Sequence, residues 1–188
     1  IRQHMHQVDS KAHKHKLLAH HLENRQLTKA LIFTSTKRGA DQLAKTLRSK
    51  DHKSASLHGD MSQNKRRQTV ENLRKGRVEM LVATDVAARG LDIKGISHVI
   101  NFDLPTVAED YIHRIGRTGR AGAAGCAISL VSSSDWQKLA QIEKLTGRRI
   151  NREVIEGLEP TSSEPKIKGH PKADPKSRRS FAKNSKGK

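Results

Sequence analysis

Apolar positions along the chain alternate between two periods. Leu17, Leu18, His21 and Leu22 recur at helical spacing behind Ser10, a candidate N-cap. Leu31-Ile32-Phe33 is a short continuous apolar run, which predicts a buried strand. Helical spacing returns over residues 37–49, where Ala40, Leu43, Ala44 and Leu47 form one stripe. Residues 54–57 predict a short strand ending at His58-Gly59, and residues 62–74 a helix capped by Ser62 with Val70 and Leu73 inward. Further strands are expected over 78–83, 98–102 and 127–131. The region after Pro105 becomes helical through Ile112, and a last helix covers 135–145. Strands separated by helical crossovers imply an α/β fold, a mostly parallel sheet with helices on both faces. Ligands of such sheets gather beyond the carboxyl ends of the strands. The unusual residues here follow strand ends: Thr34 to Thr36, His58-Gly59, Thr84-Asp85 and the stretch after Phe102.

Composition narrows the partner. The 188 residues suffice for one ordinary domain with a core, plus appendages. With 37 Lys and Arg against 19 Asp and Glu, the formal net charge is +18, which favours a polyanion: nucleic acid or an anionic membrane. The longest apolar runs are four residues (30–33 and 80–83), none could span a bilayer, and no signal peptide is visible. Nucleic acid is therefore the better reading, with no membrane partner and a cytoplasmic location expected. The single cysteine, Cys126, excludes an internal disulfide framework and a multi-cysteine zinc site; within Cys126-Ala127-Ile128 it reads as a small buried hydrophobe. The eleven histidines include His4, His6, His13 and His15, but pairs at i, i+2 do not share a helix face and no acid cluster accompanies them, so no metal is expected.

The chain opens on Ile1, which predicts a piece of something longer. Residues 160–188 hold four of the five prolines, nine basic residues, two acids and almost nothing apolar. Such a segment cannot bury enough surface to offset its ordering entropy. The expected division is a domain over 1–158 and a disordered basic tail over 159–188, either a solubilising end or a weak, sequence-independent attractor of RNA phosphate.

The chemistry concentrates in His113-Arg114-Ile115-Gly116-Arg117-Thr118-Gly119-Arg120. Guanidinium groups match phosphate oxygens in planar, bidentate geometry. Gly116, Gly119 and Gly122 recur every third residue, which predicts a loop projecting its side chains toward a polyphosphate, where the alternative is a solvated basic surface. About one βαβ unit earlier stands Thr84-Asp85-Val86-Ala87-Ala88-Arg89-Gly90-Leu91-Asp92-Ile93. Together the two strings resemble motifs V and VI of the DEAD-box RNA helicases of superfamily 2. No Gly-x-x-x-x-Gly-Lys-Ser/Thr loop and no Asp-Glu-Ala-Asp string occurs in these residues. The chain therefore resembles, over roughly residues 1–155, the second of two RecA-like domains, the one that closes over a nucleotide held by the first.

The resemblance implies site residues. Arg117 and Arg120 match the arginines that reach the γ-phosphate, with Arg120 the better candidate for the finger; a guanidinium acting in trans can contribute ~10³–10⁵ in rate. His113 matches the residue that couples nucleotide and RNA sites, Asp92 the ribose contact, and Gly90 lies in the same nucleotide-facing string. The implied cofactor is ATP, with Mg²⁺ bound by the first domain. On the RNA side, Thr36 matches motif IV, Gln63 and Arg66 the Gln-x-x-Arg motif, and Thr84 the RNA-contacting threonine of motif V; Gly59 permits close backbone approach. The implied partners are RNA and the N-terminal RecA-like domain of the same protein. Aromatic residues are 3% of the chain, so binding should follow the backbone rather than base stacking. A DNA helicase of the same superfamily is less favoured because of the histidine opening motif VI. A stand-alone RNA-binding module has no need of Arg117, Arg120 and Asp92.

Overall fold

A computed structural model describes residues 1–120 and 122–167. The strands are β1 (Arg2–Gln7), β2 (Ala30–Phe33), β3 (Ser54–Leu57), β4 (Met80–Ala83), β5 (His98–Asn101), β6 (Cys126–Val131) and β7 (Asn151–Arg152). The helices are α1 (Lys11–Leu22), α2 (Lys37–Ser49), α3 (Gln63–Arg74), α4 (Asp85–Ala88), α5 (Ala108–Ile115) and α6 (Trp136–Thr146). The strands form one seven-stranded sheet in the order β3-β4-β2-β5-β6-β1-β7, and every pairing among them is parallel.

Alternation along the strands divides the core between the two faces. Ile32, Val82, Ile100 and Ile128 pack with Leu17, Leu18 and Leu22 of α1 and Ala40, Leu43 and Leu47 of α2. The intervening Leu31, Leu81 and Val99 pack with Leu73 of α3 and Ala87 and Ala88 of α4 on the other face. Ala127 and Met5 continue that second face under α5 and α6, through Tyr111, Ile115, Trp136, Leu139 and Ile142. Apolar burial on both faces makes these strands near-continuous hydrophobic runs, as a parallel sheet requires. Ser10, Thr36 and Ser62 each accept a hydrogen bond from the backbone N–H three residues on, which fixes where α1, α2 and α3 begin.

Three differences from the sequence pattern matter. β1 is a full strand between β6 and β7, although its residues are mostly polar. α5 runs to Ile115, so His113 and Arg114 belong to its last turn rather than to a loop. Tyr111 and Ile115 are both buried one turn apart, which carries the helix past Ile112 until Gly116 ends it. Finally, residues 159–167, assigned by composition to the tail, lie against the domain. The Thr161 N–H donates to Asp9 Oδ2 at 2.8 Å, Arg152 Nη2 meets Glu164 Oε1 at 2.8 Å, and Ile167 packs beside the α5–α6 cluster. A few directed polar contacts hold what hydrophobic content alone does not. The rest of the expected tail, residues 168–188, lies outside the described residues. No helix among the described residues is long and apolar enough to cross a membrane. Cys126 sits buried in β6, where desolvation pushes its thiol pKa up, in keeping with a packing role.

Candidate functional site

β3, β4 and β2 are neighbours, and their carboxyl ends deliver the unusual residues to one edge of the sheet. β2 leads to Thr36, β3 to Gly59, and β4 to Thr84. Thr36 Oγ1 accepts the Gly39 N–H at 2.9 Å as the cap of α2, and its own hydroxyl proton stays available to donate. Thr84 holds the N-cap position of α4 but makes no side-chain capping bond. Gln63 and Arg66 lie on the first turn of α3, and Arg66 Nη2 donates back to the Gly59 carbonyl at 3.0 Å. Arg66 Nε has no hydrogen-bond partner. A Cβ at Gly59 would stand 3.4 Å from Lys37 Cε and 3.8 Å from Arg66 Nη2, so the glycine sits between two cationic side chains. Lys37 was not singled out in the sequence; it pairs with Asp60 at 2.9 Å, and that bond draws the Asp60 carboxyl below its usual pKa. Its signal was its position directly after Thr36.

The other group of residues gathers where α4 meets α5. A cavity of about 470 Å³ is lined by Gly90, His113, Arg114, Gly116, Arg117 and Arg120, among others. The three arginines of the His-Arg-Ile-Gly-Arg-Thr-Gly-Arg string have different surroundings. Arg114 is 2% exposed. Its Nε and Nη2 donate to the two carboxylate oxygens of Asp85 at 2.6 Å each, and Nη1 donates to the Asp103 carbonyl at 2.6 Å and to Asn101 Oδ1 at 3.2 Å. Its guanidinium also lies over the Phe33 ring, 4.8 Å from the centroid. Arg114 thus fastens α5 to the ends of β2 and β5 and to α4. Arg117 is partly buried and donates to the backbone carbonyls of Leu91 and Ala88. Burial, with the nearby Arg120 charge, lowers its pKa.

Arg120 is the exposed member. Its Nη1 lies 3.6 Å from Asp92 Oδ1, both side chains more than half exposed, and its Nε donates to the Gly116 carbonyl at 2.9 Å. Asp92 also faces Lys94 at 3.6 Å. His113 projects outward from the last turn of α5, 3.8 Å from Asp110, and Asp110 in turn faces Arg89 at 3.6 Å. Gly90 has a φ of 78°, a left-handed turn that suits glycine and redirects the chain toward Asp92. The later glycines are partly structural: a Cβ at Gly125 would come within 2.6 Å of the Gly119 nitrogen. Between them and the sheet, the buried Thr118 hydroxyl donates to the Ile96 carbonyl at 2.6 Å.

The structure therefore brings Gly90, His113, Arg117 and Arg120 to one cavity, with Asp92 3.6 Å from Arg120, and Thr36, Gly59, Gln63, Arg66 and Thr84 to adjoining strand and helix ends. β4 connects the two groups, because Thr84 follows it directly and Asp85 begins α4. Asp85 and Arg114, which hold the groups in place, were not marked as site residues. Their signal, an acid after a strand and an arginine on a helix, became specific only through the tertiary contact.

Comparison with known proteins gives a consistent picture. The helicase conserved C-terminal domain family matches residues 13–122. The chain is 42% identical over 166 residues to the ATP-dependent RNA helicase SrmB of Haemophilus influenzae, covering 88% of this chain and 38% of that protein. It is 47% identical over 123 residues to the DEAD-box ATP-dependent RNA helicase RhpA of Helicobacter pylori, covering 65% of this chain and 25% of that protein. The chain thus spans less than half the length of these curated relatives. Among solved structures, the E. coli DEAD-box protein SrmB, bound to regulator of ribonuclease activity A, superposes with a TM-score of 0.85 at 41% identity, covering 89% of this chain and 98% of that one. S. cerevisiae Dbp5 bound to RNA and ADP BeF3 superposes with a TM-score of 0.74 at 37% identity, covering 82% of this chain and 41% of that one. The RecA-like α/β architecture expected from the sequence is the one observed.

Proposed function

The chain belongs to the helicase conserved C-terminal domain family, among the DEAD-box proteins, and from this we propose that it is the second RecA-like domain of an ATP-dependent RNA helicase, closing over ATP and RNA bound together with an N-terminal partner domain. The observation that carries the nucleotide half is the exposed Arg120–Asp92 pair beside the 470 Å³ cavity. A guanidinium and a carboxylate held side by side, each only loosely partnered, match the two ends of a nucleotide: the phosphate chain and a ribose hydroxyl. ATP supplies the phosphoryl group whose transfer to water drives the cycle.

The residues of this chain have distinct tasks in that reading. Arg120 swings from Asp92 to the γ-phosphate and neutralises charge that grows in the transition state. Asp92, released from Arg120, accepts from a ribose hydroxyl. Arg117 braces the loop through its carbonyl contacts and adds positive potential, and Gly90 lets that loop approach. His113, exposed at the domain surface, meets the other domain and couples the two sites. Asp85 and Asp110 are both paired with guanidinium groups, which leaves these carboxylates little capacity for Mg²⁺. The reading accordingly gives Mg²⁺ to the N-terminal domain. On the RNA side, Thr36 and Thr84 hydroxyls, Gln63, Arg66 and the Gly59 backbone meet phosphates without reading bases. That a relative was solved bound to RNA and ADP BeF3 supports RNA and a nucleotide as the ligand classes, whichever residues meet them.

The test is ATPase activity of the full-length protein with single-stranded RNA, duplex RNA and DNA as separate activators. RNA should stimulate and DNA should not, and the 188-residue chain alone should hydrolyse no ATP. Stimulation by DNA equal to that by RNA would move the protein to the DNA-helicase reading. RNA binding without any ATPase would leave a binding module.

A further inference from the structure

The far edge of the sheet carries a constellation that the helicase reading does not use. In β1, His4 pairs in register with Ile128 and His6 with Leu130, on the face covered by α1. On a strand, residues two apart share a face, so the helical argument against pairing these histidines does not apply. His21 comes from the last turn of α1, and Glu153 follows β7, its N–H bonded to the Met5 carbonyl at 2.9 Å. The ligating atoms of His6, His21 and Glu153 all lie within 4.8 Å of one another. We propose that His6, His21 and Glu153 form a binding site for a zinc-class divalent transition-metal ion, which ties β1, the end of α1 and the segment after β7 together.

The hydrogen bonding sets the tautomer the site needs. His6 Nδ1 lies 3.0 Å from the Glu153 carbonyl oxygen, which can only accept, so Nδ1 carries the proton. In the neutral ring, Nε2 is then a lone pair that accepts from His21 Nε2–H at 2.6 Å, with Glu153 Oε2 3.7 Å away, so His21 ligates through Nε2 once its proton has moved to Nδ1. A ring N–H donated to a backbone carbonyl, with the opposite nitrogen free to ligate, is the usual support of a metal-bound histidine. Tetrahedral zinc, at ~2.0–2.1 Å from nitrogen, needs the two Nε2 atoms roughly 3.3 Å apart. A small rotation of the half-buried His21 supplies the difference. Two imidazoles and one carboxylate favour zinc, cobalt, nickel or copper over magnesium and calcium, which prefer all-oxygen shells. A fourth position stays open to water.

The test uses the untagged 188-residue chain freed of metal by a chelator. Zn²⁺ titration by calorimetry should give one equivalent per chain, and Co²⁺ should show the visible absorption of a tetrahedral site. Saturating zinc should raise the melting temperature by roughly 5 °C. His21→Gln and Glu153→Gln should each weaken zinc binding roughly tenfold or more while leaving the metal-free melting temperature near that of the parent. His15→Gln, which alters a histidine set edge-on against Phe102 and outside the cluster, should change nothing. Absence of stoichiometric zinc would overturn the proposal. So would equal zinc affinity in the His21 and Glu153 variants, or its loss in the His15 variant, since either result places the metal on other histidines.

Discussion

The two ends of the sheet use polar residues in opposite ways. At the β3-β4-β2 end polar side chains wait beyond the strands, more than half exposed and loosely held, as with Arg120, Asp92 and Lys37. At the β6-β1-β7 end the polar side chains lie within the fold and satisfy one another. Glu143, fully buried, accepts from both terminal nitrogens of Arg152 at 2.8 Å and from the Ile150 N–H at 2.9 Å. A group that is to bind a ligand must keep bonding capacity in reserve, whereas a group that stabilises has spent it. Arg114 is the exception that joins the halves: it stands in the binding string but is spent on the fold.

That contrast breaks first at the arginines. Arg120→Ala in the full-length protein should cut kcat roughly 10³-fold or more while the melting temperature stays near the parent's, and Arg120→Lys should fail nearly as badly because the planar fork is lost. Near-normal kcat in the alanine variant would remove Arg120 from the chemistry. Arg114→Ala should do the reverse, costing about 3–5 kcal/mol of stability because Asp85 loses its buried partner; urea denaturation reads this directly. Should Arg114→Ala melt normally, the string would be functional throughout and the contrast between its arginines would fail.

Acid probes the other end. His6 and His21 have folded pKa values of about 4 and about 3, below the 6.5 of a free imidazole. The unfolded chain therefore binds their protons first, so the stability they confer is present above pH 6.5 and lost as pH falls toward 4. At pH 5 each should cost about 2 kcal/mol relative to neutral pH. The groups facing them are His4, His13, His20, His98 and Glu153. Unfolding free energies measured in chelator at both pH values check this, and His21→Gln should flatten the dependence. A stability independent of pH would mean these rings are not buried as described.

Smaller effects sharpen the boundary of the satisfied half. Ending the chain at residue 158 should cost about 1–2 kcal/mol more than ending it at residue 167, because Asp9 loses Thr161 and Arg152 loses Glu164. Equal denaturation midpoints for the two truncations would return 159–167 to the tail. Residues 168–188 carry eight basic residues and one acid. Their removal should weaken RNA binding and make the slope of log affinity against log salt shallower, since fewer counterions are released. An unchanged slope would place the RNA contacts wholly on the strand-end residues.

The alternation of apolar periods, with Ser10 and Ser62 as caps, determined the α/β class and most elements, because helix and strand periods are local properties of the chain. The strings around Asp92 and Arg120 stood out for a related reason: their arginines and glycines lie close together along the chain. β1 was not legible, since its buried stretch His4-Met5-His6 holds a single apolar residue and so carries no apolar period; only β6 and β7 on either side make it a strand. The end of α5 was not legible either, because Arg114 continues the helix by reaching Asp85, 29 residues earlier. Nor could spacing bring His6, His21 and Glu153 together, since they come from three elements. The sequence by itself determined which segments turn and which extend. The tertiary structure alone decided which charges are spent on one another and which remain free for a ligand, because that depends on burial and on partners that no local pattern records.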